Sequence, residues 1–81
     1  MATRHPLVLP DLGLGDMSIA ISVWLVPRGA TVMEGDRLVE VLADSVTVDL
    51  PSPANGILVE TLAAEDDLVV PGQVLGYVEA L

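Results

Sequence analysis

The sequence predicts an all-β sandwich or barrel, and three observations carry that prediction. Apolar residues fall in short runs dominated by Val and Leu. Glycine and proline punctuate the chain at even spacing, and one stretch of the chain repeats. Short alternating runs between regular turn signals are the pattern of half-buried strands in a small β fold.

Taken in order, residues 1–5 (Met-Ala-Thr-Arg-His) read as a short, poorly ordered tail, and 6–81 as one domain. Strand-like runs follow at Leu7–Leu9, Ile19–Val26, Arg37–Leu42, Val46–Leu50, Ile57–Leu62 and Gln73–Val78. Turn residues separate them: Pro10, Gly13 and Gly15, then Pro27 and Gly29, Gly35, Pro51 to Gly56, and Pro71-Gly72. Val46-Thr47-Val48-Asp49-Leu50 places Val46, Val48 and Leu50 on one face, and Leu38–Leu42 alternates less cleanly. The best helical stretch, Leu62–Leu68, is short, and its Glu65-Asp66-Asp67 suits a solvated turn.

The repeat has a period of 37. Sliding the chain by that distance lays Leu25 on Leu62, Val32 on Val69, Gly35 on Gly72, Leu38 on Leu75 and Val41 on Val78. The shared unit is Val-x-x-Gly-x-x-Leu-x-x-Val. Its glycine suits a turn at positive φ, after which the apolar residues return to the core. Pro71-Gly72 is the order expected at the centre of a type II turn. Two such halves suit two similar sheets packed face to face.

Composition narrows the function. Thirteen Val and thirteen Leu among 81 residues exclude intrinsic disorder. No apolar run approaches the ~20 residues of a membrane span, and Arg4 has no apolar stretch behind it to make a signal peptide. A chain this short buries roughly 60% of its unfolded surface, so its stability is modest. With no cysteine there is no disulfide framework, thiolate site or cysteine nucleophile. On these readings we expect a cytoplasmic chain. Twelve carboxylates against three arginines give a net charge of −9, which argues against nucleic acid and membrane partners. The same charge either favours a basic patch on a protein partner or simply keeps a Val/Leu-rich domain in solution. The chain contains no lysine.

Other chemistries find little footing. His5 stands in the expected tail and no Gly-x-Ser-x-Gly elbow occurs, so a hydrolase triad is not built. Asp11, Asp16 and Glu65-Asp66-Asp67 lack calcium-loop spacing, so no metal site is expected. Gly13-Leu14-Gly15 is not set in a strand–turn–helix unit, which a dinucleotide site requires. Asp44-Ser45-Val46 has the look of a phosphopantetheine acceptor, but that chemistry sits at a helix N-terminus and this segment alternates as a strand. Trp24 reads as a core or half-buried strand residue.

The stretch Leu12-Gly13-Leu14-Gly15-Asp16-Met17, followed by Ile21-Ser22-Val23-Trp24-Leu25, resembles the opening of a lipoyl domain, the carrier module of 2-oxo acid dehydrogenase acyltransferases. Gly29–Asp36, Leu38–Val41, Asp44–Gly56 and Gly72–Leu75 continue the likeness in order, over about residues 7–80. The related biotinyl domains usually flank the modified lysine with methionines; here the flanks are Asp44 and Val46, which favours the lipoyl branch. The resemblance implies a flattened barrel of two four-stranded antiparallel sheets with internal twofold pseudosymmetry. It also implies a β-hairpin with arms Glu40–Ala43 and Val46–Leu50, whose tip carries the cofactor on lysine.

Two departures stand out. Ile19 occupies a position where the family usually has Gly, opposite Gly56 in the repeat, so the first long strand is expected to start differently. Ser45 lies between Asp44 and Val46, where the resemblance places the lipoyl-lysine. Lipoate joins a primary amine as an amide on a long flexible stem. A serine offers a hydroxyl on a short stem, and an ester there would be hydrolysable. The chain as written is therefore expected to carry no cofactor, with Ser45 unmodified. Three explanations stand open: a natural unmodified relative, a lysine replaced in the laboratory, or a different hairpin register or a resemblance of fold alone. Resemblance further implies that Leu12, Gly13, Leu14, Gly15, Asp16 and Met17 join Asp44, Ser45 and Val46 in partner recognition. The implied partners are proteins of a multienzyme complex: a decarboxylase, an acyltransferase core and, for a lysine form, a lipoate ligase. The expected role is a non-catalytic carrier-type module, with a structural or docking module as the alternative. A monomer is expected, because a closed small barrel has no long free edge.

Overall fold

The computed structural model describes residues 3–81. It contains eight strands and no helix: β1 (Arg4–Val8), β2 (Ile19–Trp24), β3 (Thr31–Val32), β4 (Arg37–Ala43), β5 (Val46–Pro51), β6 (Gly56–Thr61), β7 (Leu68–Val69) and β8 (Val74–Ala80). They form two four-stranded sheets, one ordered β1-β8-β6-β3 and the other β5-β4-β2-β7, with every pairing antiparallel. No helix among the described residues is long and apolar enough to cross a membrane.

The repeat extends well beyond the five matched residues. A shift of 37 carries β2 onto β6, β3 onto β7 and β4 onto β8, end to end. It also superposes the turns. Arg28-Gly29, Glu34-Gly35, Glu65-Asp66 and Pro71-Gly72 each occupy the centre of a turn closed by a backbone bond between its outer residues. The second residue of each has positive φ: 96° at Gly29, 92° at Gly35, 71° at Asp66 and 89° at Gly72. That is the type II requirement foreseen at Pro71-Gly72. Asp66 replaces glycine at no great cost, because Asp is among the few side chains that visit this region. The halves differ in one place. The connection from β1 to β2 crosses ten residues, Leu9–Ser18, whereas that from β5 to β6 crosses only Ser52–Asn55.

Alternation builds the core. Ile19 and Ile21 of β2, Val39 and Val41 of β4, Leu58 of β6 and Val78 of β8 point inward and are buried, with Leu7, Leu9, Leu50 and Leu75 closing the layer. Leu58, fully buried on a central strand, reports directly on this packing. Leu58→Ala is expected to cost about 2–5 kcal/mol, read as a lowered urea midpoint at unchanged m value. Trp24 is half-buried as expected, and its indole Nε1 donates to the Ala63 carbonyl at 2.8 Å.

Three expectations need correction. The tail through residue 5 is too long: β1 begins at Arg4, with Arg4 opposite Glu79 and His5 opposite Val78, and Ala80 donates to the Thr3 carbonyl at 2.8 Å. Pro6 had marked a boundary, yet β1 is an edge strand, where a proline is tolerated. Met1 and Ala2 lie outside the described residues. Second, β2 opens at Ile19 as β6 opens at Gly56, so the expected difference at its start is confined to its pairing with β4. Gly56 has no positive φ to match; it is required because a Cβ there would overlap the Glu79 carbonyl oxygen. The β2–β4 ladder starts one residue later, at Ala20↔Leu42, while Ile19 pairs with Val69 as Gly56 pairs with Val32, and its side chain is buried. Third, the sheets are separate ladders with edges at β1, β3, β5 and β7. The edges are protected instead by brevity in β3 and β7 and by Pro6 and Pro51 in β1 and β5.

Candidate functional site

The β4–β5 hairpin is closed by the pair Ala43↔Val46, leaving Asp44 and Ser45 as a two-residue turn. Asp44 takes φ 55°, the strained part of such a turn that Asp tolerates. The core ends here: Ala43 is buried, while Asp44, Ser45 and Val46 are all exposed. Ser45 is thus held at a protruding bend between two paired arms, neither in the interior nor in a helix.

The register shows what surrounds this bend. Leu42, one residue before the final pair, lies beside Ala20, and Ala20 lies beside Leu68 of β7. The start of β2 therefore adjoins the hairpin end, bringing the close of the long β1–β2 connection with it. Within that connection the Asp11 carboxylate accepts from the Gly13 N–H at 2.8 Å, and Gly13 and Gly15 take φ 72° and 63°. Leu12 and Leu14 pack against the core, and Met17 is exposed. An open cleft of about 280 Å³ runs between Gly15–Ile19 and Leu68–Pro71. Arg4 and Ala80 lie at the opposite end, since Ala80 pairs with Gly56 and Gly56 with Val32.

Comparison with known proteins gives this arrangement a context. The family model described as biotin-requiring enzyme matches residues 5–78. The chain belongs to this biotin–lipoyl family. It is 38% identical over 72 residues to the dihydrolipoyllysine-residue acetyltransferase component of the pyruvate dehydrogenase complex of Staphylococcus aureus, covering 89% of this chain and 17% of that protein. The corresponding component of Staphylococcus epidermidis matches to the same extent. The chain thus spans about one-sixth of the length of these relatives. Its fold matches the solution structure of the lipoyl domain of the 2-oxoglutarate dehydrogenase complex from Azotobacter vinelandii, with a TM-score of 0.65 and 22% identity over 96% of this chain and 94% of that one.

The chain is thus a lipoyl domain homologous to those of acyltransferase components, with the two four-stranded sheets the resemblance implied. The structure brings the sequence-selected residues to one end of this lipoyl domain. Asp44, Ser45 and Val46 form its bend, and Gly15, Asp16 and Met17 approach through the cleft wall. Leu12 and Leu14 turn toward the core instead. Sequence reading missed Ala20, Leu42 and Leu68, which the ladder lines up beside the bend. They sit on three strands far apart in the chain, so no local pattern links them. The lone signal was the apolar character of Leu42 and Leu68 at positions facing away from the core.

Proposed function

We propose that this lipoyl domain serves a multienzyme acyltransferase (E2) component of the 2-oxo acid dehydrogenase type, in a form whose acceptor position is filled by Ser45. The observation that supports this reading most is the geometry of the bend: a two-residue turn at an exposed apex, with Ser45 as its second residue, in a chain without lysine. In such a domain the scaffold's work is mechanical. Paired arms hold the acceptor clear of the core, where an enzyme can reach it. Lipoate, when attached, would supply a dithiolane, whose sulfurs take up an acyl group once the ring S–S bond is reduced and pass it between active sites. Ser45 cannot provide the attachment as an amide, since its hydroxyl sits on a single carbon where the chemistry needs an amine on a flexible stem. We infer that the chain as it stands is an unloaded carrier.

Incubation with lipoate–protein ligase, lipoate and ATP, followed by intact-mass measurement, tests this. Ser45→Lys is expected to gain one lipoyl group and the unaltered chain none. A lipoyl adduct on the unaltered chain, or none on Ser45→Lys, would contradict the reading. The second reading is a module that uses the fold for docking alone, and the exposed apolar side chains beside the bend favour it.

A further inference from the structure

The pseudosymmetry supplies an internal control for that apolar surface. On the outer face of the β5-β4-β2-β7 sheet, direct cross-strand neighbours form the row Thr47–Leu42–Ala20–Leu68. Leu42 is 39% exposed and Leu68 74%. The shift of 37, with the longer β1–β2 connection accounted for, maps this row onto Arg4–Glu79–Ile57–Thr31 of the other sheet, again direct neighbours. There, Arg4 and Glu79 form an ion pair at 3.9 Å and only Ile57 is apolar. Two rows with the same backbone environment therefore carry opposite chemistry. Folding does not require leucines at these positions, because the twin row manages with charge and threonine. Exposed leucines beside the bend remain unexplained by stability.

We propose that this row is a docking face for a protein partner that presents an apolar side chain between arginines or lysines. Apolar contact is offered by Leu42, Ala20 and Leu68, and Leu68 also borders the cleft lined by Met17, Val70 and Pro71, where a side chain can insert. The rim is acidic. Glu40 stands one row behind, opposite Asp49, which is paired with Arg37 at 3.7 Å; Asp44 stands in the bend and Asp16 lines the cleft. Charge complementarity thus selects a basic partner. It also selects against a second copy of this chain, which would set carboxylates against carboxylates in a molecule of net charge −9. The proposal names a partner surface for the carrier reading and rests on it for the choice of probe.

The decarboxylase component of the Staphylococcus aureus pyruvate dehydrogenase complex is that probe, titrated into the ¹⁵N-labelled unaltered domain. Amide signals of Ala20, Leu42, Thr47 and Leu68 are expected to broaden first, and less so as salt rises. Leu42→Thr with Leu68→Thr is expected to weaken binding at least tenfold, while Ile57→Thr on the twin row leaves it unchanged. Unaltered signals elsewhere and an unchanged urea midpoint show that the variants remain folded. Broadening confined to residues 12–17 and 44–46, or absent altogether, overturns the proposal. So does broadening that follows the domain's own concentration without the probe, which marks self-association. Lipoylation of Ser45→Lys is read separately by mass. If it succeeds while the row stays silent, docking is wrong and the carrier reading stands; if the row responds and the lysine variant stays bare, the reverse holds.

Discussion

Ser45→Lys is expected to convert an inert domain into a substrate for lipoate–protein ligase, from no detectable modification to near-complete loading. The size of the effect follows from chemistry and placement together. A new ε-amine at this position emerges from an exposed turn whose arms are fixed by the pair Ala43↔Val46. Nothing else in the sequence competes, since no other lysine is present. Placement makes the expectation sharper. A lysine at Asp44 would have to adopt φ 55°, which lysine resists. One at Thr47 would project from the outer face of β5, alongside Leu42. Asp44→Lys and Thr47→Lys are therefore expected to load far more slowly than Ser45→Lys, in ligase time courses followed by intact mass. Equal rates at all three positions would mean that the enzyme reads an accessible amine and ignores the bend.

Gly56→Ala is expected to be the most damaging of the glycine-to-alanine changes in this chain. Its Cβ would overlap the Glu79 carbonyl oxygen and crowd Ala80, both backbone of the paired strand, so no side-chain rotation relieves it. The β6–β8 ladder must part there, at a cost of about 3 kcal/mol or more. Gly35→Ala provides the contrast. Gly35 takes φ 92° in open space, so its alanine meets only backbone strain of about 1–2 kcal/mol. Urea denaturation of the two variants should separate steric overlap from dihedral strain, with the midpoint of Gly56→Ala clearly the lower. Equal midpoints would show that β8 yields at no more cost than the dihedral strain at Gly35.

The two glycines also illustrate what the chain made legible. Gly35 and Gly72 could be read as turn residues because a local signal, repeated at a period of 37, marks them. The need for Gly56 arises from β8, more than twenty residues later, so its neighbourhood offered no hint. Strands followed the same division. Five of the six longer ones announced themselves by apolar runs between turn residues, whereas β1 was caught only at Leu7 and Val8. The pairs Thr31–Val32 and Leu68–Val69 did not, because they are strands only by virtue of the partners Ile57 and Ala20. Alternation made the runs Arg37–Leu42 and Val46–Leu50 legible, whereas the hairpin joining them and its bend at Ser45 came from the resemblance to lipoyl domains. The apolar row next to it was invisible until register joined three distant segments.

Register has one more consequence. Arg4 and Ala80 sit at the pole remote from Ser45, along a body 39 Å in its longest dimension and 19 Å across. Anchored by either strand end to a bead, a sensor chip or a larger polypeptide, the molecule would stand like a post with its working tip uppermost. Immobilisation would leave that tip open to visitors from solution, whichever end is held.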